Sequence, residues 1–95
     1  MLKKLSDAFG PCGCEEEVRG LILNEIMPYA DEIYCDGMGN VMALKKGRSS
    51  EKTLMLAAHM DEVGMIVSDI TTDGYLKFKT VGGIDPRLLV SKDVL

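Results

Sequence analysis

Five consecutive apolar residues, Leu54-Met55-Leu56-Ala57-Ala58, run straight into the only histidine of the sequence, His59. A run that short and that continuous predicts a strand covered on both faces, because a half-exposed strand alternates apolar and polar residues. Strands of that kind belong to sheets flanked by helices, which makes the fold class α/β. The residue that follows such a strand stands at the end of the sheet, where α/β proteins present their functional groups.

Upstream of this run the period is helical. Leu2, Leu5, Ala8 and Phe9 fall on one face of a helix over residues 2–9, stopped by Gly10-Pro11. Cys12-Gly13-Cys14 reads as a turn. Glu15-Glu16-Glu17 opens a second helix, where carboxylates favour the positive end of the helix dipole. Val18, Leu21, Ile22 and Ile26 form its buried stripe, and Pro28 ends it. The period then shortens. Residues 33–35 and 41–44 read as strands around Asp36-Gly37-Met38-Gly39-Asn40, a turn with two glycines free to take positive φ. Residues 47–52 are a polar loop. Residues 65–70 and 75–80 are strands joined at Asp73-Gly74, with Leu76 and Phe78 facing away from Lys77 and Lys79. Val81-Gly82-Gly83 is a turn into apolar residues, with no helix N-terminus expected after it. The pattern is still apolar at Leu95, as expected of part of a larger unit.

Composition narrows the function classes. Ninety-five residues amount to one small domain or part of a larger one. Fifteen acidic against eleven basic residues give a net charge of −4, unlike the basic patch of a nucleic-acid binder. No apolar stretch approaches the roughly 20 residues that a bilayer requires, so no membrane span is expected. Met1-Leu2-Lys3-Lys4-Leu5 is not followed by the apolar region of a secretory signal. Three cysteines without such a signal predict reduced thiols and a cytoplasmic location.

The residues that bear chemistry are few. In extended backbone His59 and Asp61 project to the same side. One imidazole nitrogen is then available to a metal while the other N–H meets the Asp61 carboxylate, which fixes the tautomer. Taken alone, His-x-Asp equally describes a strand-end histidine with a satisfied hydrogen bond. Glu62 projects to the opposite side, as a solvated or interface charge. Cys12 and Cys14 have C-x-C spacing rather than the C-x₂-C of zinc hairpins, and Cys35 stands apart, so they read as turn and core cysteines. The seven methionines read as core filling. Gly82-Gly83 matches no phosphate-binding loop.

Four segments, in order, resemble one family. Leu56-Ala57-Ala58-His59-Met60-Asp61-Glu62-Val63-Gly64 is similar to the metal-binding strand end of the glutamyl and deblocking aminopeptidases, some of which carry the name cellulase M. Phe9-Gly10-Pro11-Cys12-Gly13 resembles their early Gly-Pro-Ser-Gly turn, with Cys12 in place of serine. Asp36-Gly37-Met38-Gly39-Asn40-Val41 resembles their Gly-Asn turn, and Val81-Gly82-Gly83-Ile84-Asp85-Pro86-Arg87 their Gly-Gly-Ile-Asp-Pro-Arg element.

The resemblance implies a zinc-peptidase (phosphorylase/hydrolase-like) fold over residues 1–63 and, over residues 64–95, the start of an inserted β-rich oligomerisation domain. It implies two divalent metal ions, zinc or cobalt, that activate a bridging water for removal of N-terminal residues from short peptides, and a glutamate as general base. His59 matches the first metal ligand and Asp61 the catalytic-site aspartate that supports it. The bridging aspartate, the glutamate, the second metal carboxylate and the second metal histidine would lie beyond Leu95, so the 95-residue segment is expected to be inactive alone. Family members form homo-oligomers, from dimers to tetrahedral dodecamers. The alternatives are a non-catalytic interaction module or pseudoenzyme, pairing through the strands of residues 65–80, and, more weakly, an endoglucanase.

Overall fold

A computed structural model describes residues 1–49 and 51–94. Helix α1 spans Leu2–Asp7 and helix α2 spans Glu16–Ile26. Strands β1, Glu32–Cys35, and β2, Val41–Leu44, pair antiparallel, with Glu32 opposite Leu44 and Cys35 opposite Val41. Strands β3, Gly64–Ile70, and β4, Leu76–Val81, form a second antiparallel hairpin. A three-residue 3₁₀ turn, Pro86–Leu88, follows, its N-terminus closed by the Asp85 carboxylate accepting from the Arg87 N–H.

Local chemistry sets these boundaries. Helix α1 ends at Asp7, two residues short of the expected limit, because Ala8 already has extended backbone with ψ 143. That lets Ala8 turn inward and leaves Leu2 and Phe9 exposed. After Pro11 the chain reverses in a type II turn. The Cys14 N–H donates to the Pro11 carbonyl at 2.8 Å and Gly13 takes φ +88, which only glycine adopts without cost. At the tip of the second hairpin Gly74, φ +84, does the same service, and the Thr71 hydroxyl accepts the Tyr75 N–H at 2.9 Å.

A bulge in β3 decides the character of that hairpin. Register shifts between Val67 and Asp69, so Val67 pairs with Phe78 and Ile70 with Leu76. Residues 67 and 70 would lie on opposite faces of a regular strand, and the extra residue returns them to one face. The outcome is an exposed apolar face of Val67, Ile70, Leu76 and Phe78. Asp69 and Lys77 form an ion pair at 2.9 Å.

The structure corrects the expectation for residues 54–58. Among the described residues they form no strand, and Leu54, Met55 and Leu56 are 84%, 82% and 88% exposed. A doubly covered strand needs neighbours on both edges and both faces, and among the described residues the two hairpins pair only within themselves. The buried apolar side chains among the described residues are Ala8 and Val18, each 5% exposed. Leu21, Ile22 and Ile26 of the predicted α2 stripe are only half covered. Methionine and cysteine were expected to fill the core, and with little core to fill they do not: Met1, Met27, Met38 and Met55 are exposed, as are all three cysteines. The helical start expected to be missing after Gly82-Gly83 is present as the Pro86–Leu88 turn, because Asp85 supplies the cap and Pro86 the preset φ.

What core there is forms around Gly10. A Cβ at that position would lie 2.5 Å from Val18 Cγ2 and 3.8 Å from the Met60 carbonyl oxygen. No side chain fits there unless α2 moves. The Gly10→Ala variant is therefore expected to lose about 1–3 kcal/mol locally by overpacking. Amide exchange at Glu62, whose N–H bonds the Gly10 carbonyl at 2.8 Å, should accelerate about tenfold or more, since each tenfold corresponds to about 1.4 kcal/mol. Adding Val18→Ala should restore part of the protection; unchanged exchange in Gly10→Ala contradicts the packing described.

Candidate metal and substrate site

The residues that follow the apolar run are attached to the rest of the chain at Glu62. Its N–H donates to the Gly10 carbonyl at 2.8 Å, and its Oε1 accepts the Gly10 N–H at 3.1 Å. An isolated parallel bridge joins Pro11 to Glu62. The Glu62 carboxylate is thus hydrogen-bonded within the chain rather than merely solvated. Nearby, Gly64 leaves room for Pro11, whose Cβ lies 3.0 Å from where a Cβ at Gly64 would stand.

His59 and Asp61 are brought together. The His59 Nδ1 lies 3.0 Å from Asp61 Oδ1 and 3.1 Å from the Asp61 carbonyl oxygen. A carbonyl oxygen only accepts, so Nδ1 carries the hydrogen and donates to both oxygens. Among the described residues, Nε2 has no hydrogen-bond partner. The imidazole is 85% exposed and Asp61 is 42% exposed. Nothing packs the ring from behind, so its direction comes from Asp61 and the backbone beneath it.

A cleft of about 130 Å³ opens beside the pair, lined by Glu15, Met38, Gly39, Asn40, Ala58, His59, Met60 and Asp61. Its far wall is the β1–β2 turn. The Asp36 carboxylate accepts the Asn40 side-chain N–H at 2.8 Å and the Asn40 and Met38 backbone N–H groups at 2.9 Å each. These bonds, led by the Asn40 side chain, hold the Asp36 carboxyl below its ordinary value of 3.8. Gly39 takes φ +87, and the Arg19 Nε donates to its carbonyl at 3.0 Å. Helix α2 thereby steadies both walls, the turn through Arg19 and the His59 segment through Val18 against Gly10.

The sequence placed His59 and Asp61 correctly on one side but did not show that the Asp36–Asn40 turn, Glu15 and Arg19 gather around them. Three of the four ordered motifs meet around His59, the Asp36–Asn40 turn across the cleft and the Gly10-Pro11 turn through Glu62, and only the tertiary fold brings them within reach. Among the described residues, no three His, Cys, Asp or Glu side chains cluster as a metal-holding group, and Cys12 and Cys14 form no zinc site with His59. A larger open groove of about 610 Å³, lined by Phe78, Lys79, Thr80, Pro86, Leu89 and Val90, contains no acid or imidazole and cannot hold a metal in the same way. No helix among the described residues is long and apolar enough to cross a membrane.

The sequence profile described as M42 glutamyl aminopeptidase matches residues 39–95. A lysyl aminopeptidase of Pyrococcus furiosus is 37% identical over 95 residues, which is 99% of this chain and 27% of that protein. The crystal structure of a protein of Thermotoga maritima named endoglucanase is 49% identical with a TM-score of 0.85, covering 94% of this chain and 29% of that one. A TET aminopeptidase from a marine-sediment thaumarchaeon is 48% identical with a TM-score of 0.76, covering 86% and 23%. The fold of this chain is therefore that of the corresponding part of those enzymes. The chain spans about a quarter of the length of the curated relatives it matches.

Two outcomes follow from the site geometry. Long-range proton–nitrogen NMR correlation of His59 should show neutral imidazole protonated at Nδ1, and Asp61→Ala should shift the ring toward the other tautomer. A dominant Nε2–H form in the unaltered chain contradicts the arrangement. Secondly, the Asp36 carboxyl is depressed in the fold, so its ordering of the turn is fully present above pH 3.8 and is lost as pH falls through the lower folded value. The Asn40 amide signal should accordingly lose protection on acidification below that point, and Asp36→Asn should weaken protection already at neutral pH.

Proposed function

This chain belongs to the M42 glutamyl aminopeptidase family, and on that premise we propose that it is the His59-bearing part of a metal-dependent aminopeptidase acting on short peptides. The observation that supports this reading most is the Nδ1–H of His59 held by Asp61 at 3.0 Å with Nε2 free. A neutral imidazole presented in that tautomer, with a carboxylate behind it, is the donor that zinc and cobalt take. Bound there in a pair, divalent ions would supply a water of lowered pKa and polarise a scissile carbonyl. His59 would hold one ion through Nε2. Asp61 is the positioning carboxylate that orients the ring. The Met38-Gly39-Asn40 turn, across the cleft from His59, borders the space where a peptide N-terminus would lie. The remaining ligands and the general base would come from the three-quarters of the relatives' length that this chain does not span.

The same reading covers the exposed surfaces. Leu54, Met55 and Leu56 are bare in this chain, as expected of a strand whose sheet partners lie elsewhere in such a protein. Among the described residues, hairpin β3–β4 packs against no other helix or strand, which supports a division near residue 63 with an inserted assembling domain starting at 64. Its apolar face of Val67, Ile70, Leu76 and Phe78 suits burial in a homo-oligomer. A cytoplasmic location belongs to this proposal too and rests on the reduced, exposed cysteines.

The name of the Thermotoga protein favours a glycosidase, and the site does not. A glycosidase needs two opposed carboxylates free to act. The two at this cleft are engaged, Asp61 by His59 and Glu15 by the Gly13 N–H at 2.7 Å.

The test is metal analysis and peptidase assay of a full-length protein containing this chain, beside His59→Ala and Asp61→Ala. His59→Ala is expected to lose a bound ion and turnover together. Asp61→Ala should lower metal affinity or rate by about 10- to 100-fold, the usual cost of removing a carboxylate behind a ligand. Residues 1–95 alone, with zinc or cobalt added, should show no turnover. Full metal content and rate in His59→Ala would overturn the proposal.

A further inference from the structure

Residues 52–63 have an unusual anchorage. They form no ladder, and their apolar side chains other than the half-buried Met60 are exposed. Among the described residues, the hydrogen bonds that join this stretch to the rest of the chain are the two made by Glu62 with Gly10. His59 precedes that anchor by three residues and Asp61 by one. The ring itself is 85% exposed, so packing does not aim it. The path of the backbone through residues 59–62 aims it, and that path is fixed where Glu62 grips Gly10.

We propose that Glu62 is a positioning residue for the metal ligand His59, acting through the backbone rather than through its charge. This rests on the reading of His59 as a ligand given above. Three features carry the inference. The Glu62 side chain and main chain both bond one residue, Gly10, at 3.1 and 2.8 Å, so the contact resists rotation as a single bond would not. Gly10 is in turn immobilised against Val18, where no Cβ is admitted. Finally, the carboxylate is engaged by the Gly10 N–H and takes no part in the His59–Asp61 pair, so it is an unsuitable ligand but a suitable fastener. The same helix that backs Gly10 holds the Gly39 carbonyl through Arg19, so displacement of Glu62 would move one cleft wall relative to the other.

An amide oxygen accepts the Gly10 N–H as a carboxylate oxygen does. Glu62→Gln should therefore behave like the unaltered protein, whereas Glu62→Ala should not. In metal-free residues 1–95, Glu62→Ala should speed amide exchange at Asp61 and Glu62 and broaden the imidazole signals of His59, and Glu62→Gln should do neither. In a full-length protein, zinc affinity should fall about 10- to 100-fold in Glu62→Ala, the range seen when support behind a ligand is removed, with kcat reduced and KM little changed. Glu62→Ala with unaltered zinc affinity and exchange would overturn the proposal, as would Glu62→Gln failing as badly as Glu62→Ala. Should Glu62→Ala fail to fold, Glu62→Gln and Glu62→Asp decide it. Gln is expected to retain zinc and the shorter Asp to weaken it, and equal affinities in the two would overturn the claim. Unchanged zinc binding in a parallel His59→Ala variant would instead refute the ligand assignment on which the proposal stands.

Discussion

The two-way clasp between Glu62 and Gly10 is the contact on which the arrangement of this chain depends. Among the described residues, it supplies the hydrogen bonds that tie residues 52–63 to the α1–α2 connection. With it, the His59–Asp61 pair, the α1–α2 connection and helix α2 become one assembly, and the β1–β2 turn joins through Arg19. Each bond is modest, worth about 0.5–1.5 kcal/mol net by general experience. Their value lies in acting together at a glycine that cannot be displaced without moving Val18.

The glycines at the two ends of this assembly act by different means. Gly10 is needed for proximity, since the space for its side chain is occupied by α2. Gly39 is needed for conformation, its φ of +87 letting the turn present its carbonyl to Arg19, whose NH2 group would lie only 2.7 Å from an added Cβ. Asp36 stabilises that turn by accepting three N–H groups, a local network that forms without help from distant sequence.

Much of this was legible in the residues. The switch from helical to strand period placed both helices and all four strands to within a residue or two, because those elements are decided by local pattern and turn chemistry. Asp73-Gly74 and Gly37 to Asn40 fixed hairpin tips for the same reason. The pairing of His59 with Asp61 was also legible, from strand period alone. What was not legible is tertiary. Residues 54–58 carry the signature of a covered strand, yet the cover is not supplied by the described residues. Glu62 looked like a solvated charge because its partner, Gly10, lies 52 positions away. The β3 bulge, which moves Ile70 onto the face of Val67, has no local marker in Met65-Ile66-Val67-Ser68-Asp69-Ile70.

Central to the account is the free Nε2 of His59. Anomalous diffraction from a zinc- or cobalt-soaked crystal of a full-length protein containing this chain examines it most directly. The account predicts an ion about 2.0–2.1 Å from His59 Nε2, with Asp61 still bonded to Nδ1. An ion held entirely by other groups, with the imidazole turned from it, would contradict the account.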